Sequence, residues 1–151
     1  MALDVDGDGD RDLVAGTTRG LAVGKLLYYR NETPAAFSFS HRRTSNAPGP
    51  IQCLAVGDFG GDPARLDVAA GWRADTGSYT GGLRIFYTDV GSIVDDGTDP
   101  LPGDIINWVA AITVNNFNWG LYPAWSGTPL TDLAVGVKTT ASDGAIWVLI
   151  R

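Results

Sequence analysis

The sequence predicts an all-β chain built from repeated antiparallel blades, and three observations carry that prediction. A pentapeptide of one acid, three small or branched apolar residues and a glycine occurs three times, at Asp12–Gly16, Asp67–Gly71 and Asp132–Gly136. A second glycine follows each copy after 8 to 11 residues, at Gly24, Gly82 and Gly144, and opens another apolar run. Helical periodicity is nearly absent, while 20 glycines and 8 prolines among 151 residues supply turns for many short elements.

The elements follow in order. The runs after the second glycine are Leu26–Tyr29, Leu83–Tyr87 and Ile146–Ile150, rich in branched and aromatic residues that suit strands. Upstream, Leu54–Phe59 precedes the second pentapeptide and Ala111–Phe117 the third, so the copies agree there too. Ile105–Val114 is the best helical candidate, but it contains Asn107 and several β-branched residues and aligns with a strand of another copy. Each copy therefore offers an inner strand ending at an acidic loop, a strand at the pentapeptide, and a third strand after the second glycine. Phe37–Ser40 alternates and adds an outer fourth strand. Three or four antiparallel strands repeated around an axis make a β-propeller; a linear solenoid is the alternative, with repeats that are usually much shorter.

The anchor acids lie 55 and then 65 residues apart, which divides one repeat domain into blades at about 1–44, 45–104 and 105–151. The first copy starts almost without its inner strand, and the last stops after its third. Two full and two partial blades do not close a ring of four to eight. The expectation is a piece of a longer chain, or a protomer that completes its propeller as a homo-oligomer.

Composition narrows the partners. A net charge of −6 and a pI near 4.5 argue against nucleic acid, and Arg42-Arg43 is too small a basic cluster to change that. Cys53 is the single cysteine, which excludes an internal disulfide, and its run Cys53–Val56 reads as core. No segment is long and apolar enough to span a membrane, and no signal peptide opens the chain.

The chemistry concentrates in Asp4–Asp12. Asp4, Asp6, Asp8 and Asp12 occupy positions 1, 3, 5 and 9 of a loop, with Gly9 at position 6. Alternating oxygen donors with a glycine at the sharp turn wrap a chain around Ca²⁺. Asp10 is expected to contribute its backbone carbonyl, and Asp12 the closing carboxylate. Five carboxylates and Arg11 leave a local charge of −4, which a hard divalent cation relieves. An EF-hand is excluded, because its position 12 is Ala15 here and a strand follows in place of a helix. The second copy keeps Asp58, Asp62 and Asp67 but has Gly60 for the second acid and one extra residue. The third has only Asn116, Asn118 and Asp132 around a long insertion and is expected to hold no metal.

Leu3–Gly16 resembles the FG-GAP/VCBS repeat, the blade unit of integrin-α-like propellers. Val56–Asp62 followed by Leu66–Gly71 is similar to a second, diverged copy. The resemblance implies calcium in the loop between the first two strands of a blade, with Asp4, Asp6, Asp8, Asp10 and Asp12 matching the loop. It implies a structural ion, and a module for adhesion, ligand binding or display on extracellular and cell-surface proteins.

The leading expectation is thus a non-catalytic extracellular module whose partner is a protein or glycan. The alternative is a lectin stacking sugars on loop aromatics, chiefly Trp119, Tyr122 and Trp125, with Trp72 and Tyr79 beside them. An appendage of a polysaccharide-degrading enzyme ranks third. Catalysis has little to stand on: His41 is the only histidine, and no nucleophile elbow or phosphate loop is present.

Overall fold

The structure is a computed structural model and describes residues 1–18, 23–33, 38–59, 65–74, 80–89, 91–95, 108–115, 132–138 and 143–149. All regular structure among them is β-strand, in three antiparallel sheets. The first holds β1 (Ala2–Leu3), β2 (Asp12–Gly16), β3 (Gly24–Thr33) and β4 (Ser38–Ala47). The second holds β5 (Ile51–Gly57), β6 (Asp67–Arg73), β7 (Gly81–Asp89) and β8 (Ser92–Asp95). The third holds β9 (Trp108–Asn115), β10 (Asp132–Lys138) and β11 (Gly144–Leu149). In every sheet sequence neighbours are spatial neighbours, as in a propeller blade, and the three sheets close no barrel or ring. No helix among the described residues is long and apolar enough to cross a membrane.

The three pentapeptides become the second strand of each sheet, and the second glycine lies at or next to the start of the third. Within the segment with the best helical pattern, residues 108–114 lie in strand β9. Two details differ from the sequence reading. The outer strand of the first sheet is ten residues long, because β4 follows β3 along most of its length through two register shifts. Trp72, expected in a loop, lies in β6, where the ladder continues past Gly71 and pairs Trp72 with Gly82.

Strand alternation assigns the faces. In β2, Asp12 and Val14 are buried while Leu13 and Ala15 are exposed. In β6 all of Asp67–Gly71 is buried. The middle sheet is covered on both sides: Val68, Ala70 and Phe86 join Leu3, Val5, Val14, Leu26 and Tyr28 in one core. Ala69, Leu83 and Ile85 join Val109, Val135 and Val137 in the other. A strand buried on both faces loses its polar alternation, and Val68-Ala69-Ala70 shows this.

The glycine that closes each pentapeptide lets the next blade pack. A Cβ on Gly16 would lie 2.5 Å from Ile51 Cγ2, and one on Gly71 would lie 2.4 Å from Val109 Cγ1. Ile51 and Val109 belong to the first strands of the following sheets. On Gly136 a Cβ would meet, among the described residues, Ala111 at 3.8 Å. Cys53 packs beside Gly71 and against the second core, as its apolar run suggests. Burial pushes its thiol up to about 11, so it is a core thiol rather than a reactive one.

Candidate metal centre

The acidic loop leaves β1 and returns into β2. Val5 is fully buried and pins it to the core. Beyond Val5 the backbone curls around its own carboxylates. Asp4 Oδ1 accepts a hydrogen bond from Gly7 N at 2.7 Å, and Asp4 Oδ2 one from Gly9 N at 3.0 Å. Asp6 Oδ1 accepts from Asp8 N at 3.3 Å and Asp8 Oδ1 from Asp10 N at 3.1 Å. The curl needs left-handed backbone at Gly7 (φ +80°) and Gly9 (φ +91°), which glycine adopts without steric cost.

This path brings Asp4, Asp6 and Asp8 together, with one carboxylate oxygen of each within 4.8 Å of the others. The set is hard oxygen, which suits calcium or magnesium over softer metals. Unpartnered oxygens on Asp6 itself and on one further acid, Asp10, fit an ion. Asp6 Oδ2 and Asp10 Oδ1 are buried and have no hydrogen-bond partner. Beside the loop, Ala2, Asp4, Asp10, Arg11, Arg65 and Leu66 line part of a cleft of about 750 Å³.

Electrostatics agree with the crowding. Desolvation, then the charges of Asp12 and Asp8, hold the Asp6 carboxyl above the ordinary carboxylate range. Asp10 is raised by desolvation and then by Asp8, Asp12 and Asp6. Asp8 moves the other way, chiefly because the Asp10 N–H stabilises its charged form.

Asp12 stands apart. Its Oδ2 accepts from Val5 N at 3.0 Å and from the Tyr28 hydroxyl at 3.2 Å, and its Oδ1 accepts from Asn31 N at 2.8 Å. It is fully buried, and it ties the loop to β3. Asp67 repeats the arrangement, with Oδ2 accepting from Phe59 N at 3.1 Å and Oδ1 from Thr88 N at 3.0 Å. The acid that opens the pentapeptide is therefore a blade corner in both sheets. The closing role that the sequence suggested for Asp12 meets a carboxylate already engaged by three donors.

Of the remaining sequence candidates, Asp58 is half-buried just beyond β5. Asp62, Trp119, Tyr122, Trp125 and Tyr79 lie outside the described residues. Two functional neighbours escaped sequence reading. Arg30 reaches the loop from β3, with Nε 2.8 Å from Asp6 Oδ2 and Nη2 3.2 Å from Asp8 Oδ2. Arg65, from the second acidic loop, donates to Val5 O at 2.9 Å and so joins the two blades. Alternation along β3 was the available signal for Arg30, since Leu26, Tyr28 and Arg30 share a face and Leu26 and Tyr28 are core.

Residues 4–70 match the family model described as FG-GAP-like repeat. This stretch of the chain is similar to an FG-GAP-like repeat. The FG-GAP-like match begins at the first carboxylate of the loop and ends inside β6, so it includes both blade corners. No curated protein and no solved structure matched the chain.

Proposed function

We propose that this chain is a non-catalytic, extracellular calcium-binding blade module, serving adhesion, ligand binding or structural assembly, in which Ca²⁺ clips the first acidic loop. The observation that carries the reading is the convergence of Asp4, Asp6 and Asp8 within 4.8 Å on a loop curled by Gly7 and Gly9. Asp10 stands next to them with a buried, unpartnered Oδ1. When bound, the ion supplies the positive charge that offsets the crowding of these acids. The chain's own part is to hold the carboxylates converged: Val5 anchors the loop, Asp12 fastens it to β3, and Arg65 fastens it to the second blade. Loops of this kind in extracellular modules bind calcium at about 10⁻⁴–10⁻³ M, which suits millimolar calcium outside cells. His41, the single histidine, bonds Thr44 Oγ1 at 3.0 Å and meets the Tyr29 ring edge-on, so a surface packing role is proposed for it.

The test is calorimetric titration together with melting curves in EGTA and in calcium. Saturation at about 100 times Kd adds roughly 2.7 kcal/mol, and a chain of this length gains several degrees. Asp6→Ala should remove most of the binding and Asp10→Ala less, because its side chain is not one of the converging three. An unchanged melting curve and no heat of binding would end the calcium reading.

We also propose that the outer faces of the first and third blades take further blades, from a longer chain or a second copy. Leu13 is 39 % exposed and Ile146 is 78 % exposed, on strands whose counterparts in the middle blade are covered. The mass in solution tests the second-copy form.

A further inference from the structure

We infer that Arg30 is a built-in competitor of the calcium ion, holding with its guanidinium the carboxylate oxygens the ion needs. This rests on the calcium reading above and adds a residue to it. Asp6 and Asp8 each give Oδ1 to a loop N–H and turn Oδ2 toward Arg30. The oxygens that Asp6 and Asp8 leave for an ion after the loop has formed are thus the ones Arg30 faces. The Asp6 side chain is only 7 % exposed, so few other groups can reach it.

The contact with Asp6 is close but poorly directed. Nε lies 2.8 Å from Oδ2, yet both atoms are buried without an aligned hydrogen bond. A pair made by distance alone is one a better-matched cation displaces. Charge points the same way. Arg30 brings the loop from −4 to −3, and a divalent ion arriving at the same oxygens is repelled by the guanidinium unless it moves aside. Moving aside is feasible. The Arg30 backbone is fixed in the ladder opposite Ser40, but its side chain is 39 % exposed. The charge of Glu32, two residues further along β3, also acts on it.

Arg30→Gln removes the charge and the fork and keeps a polar side chain. Calorimetric calcium titration at low salt should then show binding tighter by about three- to tenfold, the scale of one screened unit charge. In EGTA the variant should melt below the wild type, because the crowded acids lose their internal cation. In saturating calcium the two should melt alike, so the gap between the two conditions widens. Arg30→Lys keeps the charge without the fork and should fall between them. Should Arg30→Gln not fold, Arg30→Lys decides by the same sign.

Wild-type affinity or weaker binding in the variants overturns the competitor role and makes Arg30 a support that orients the carboxylates. Binding in Arg30→Gln but not in the wild type upholds the competitor and ends the calcium reading for the natural loop. No binding in either overturns both.

Discussion

The first and second blades use the same pentapeptide in different surroundings. In both, the opening acid is buried and bridges the acidic loop to the third strand, Asp12 through Val5 N and Asn31 N, Asp67 through Phe59 N and Thr88 N. In both, the closing glycine makes room for a branched side chain of the next blade. They part in two respects. The residues between acid and glycine alternate in burial in β2 and are all buried in β6. Only the first loop, among the described residues, brings three carboxylates together. The corner acid and the glycine thus recur in both blades, whereas the converging aspartates are found, among the described residues, in the first loop.

The comparison breaks most readily at the corners. Asp12→Ala and Asp67→Ala should each cost about 3 kcal/mol or more in urea denaturation, since each strands two buried N–H donors. The two losses should be similar, and calcium should not restore either. If Asp12→Ala chiefly abolished calcium binding while leaving stability in EGTA intact, Asp12 would be a ligand and the parallel with Asp67 would fail.

The glycines sharpen the packing half of the comparison. Gly16→Ala and Gly71→Ala should each destabilise by about 1–3 kcal/mol, because the added methyl overlaps the next blade. Gly136→Ala should be near neutral in this chain, where its Cβ meets Ala111 at ordinary contact distance. Equal losses at all three positions would mean that the glycines serve their own strands rather than a neighbour.

The smallest effect concerns the loop charge. The folded chain raises the Asp6 carboxyl above its ordinary value, so in EGTA the folded state favours the protonated form. The stability this acid contributes is present below the unfolded value and lost as pH rises through the raised one. Asp6→Asn, a mimic of the protonated form, should therefore melt slightly above wild type at neutral pH in EGTA, and the difference should vanish on acidification. In calcium the order should reverse at neutral pH. A variant less stable than wild type in EGTA at neutral pH would show that Arg30 outweighs the crowding.

Much of this was legible in order and spacing. The strand at each pentapeptide, the strand after the second glycine and the convergence of acids in the first loop all follow from local residue patterns. Outer strand β8 was not, because four residues with one buried side chain, Ile93, carry no periodic signal. Trp72 was misplaced because a strand's end depends on its partner, and β7 extends the ladder past Gly71.

By itself the sequence determined what is local. Alternation, turn glycines and a run of aspartates dictate short strands and a curled, negatively charged loop, because these follow from φ/ψ preference and charge within a few residues. Tertiary structure decided which acids stay available. Asp12 and Asp8 look alike in the run Asp4–Asp12, yet Asp12 falls beneath β3 and spends its lone pairs on Val5, Tyr28 and Asn31. Asp8 stays at the surface, where Arg30 from the same strand reaches it. A carboxylate's role depends on the donors that surround it, and here the donors from β3 lie 16 to 22 residues away along the chain.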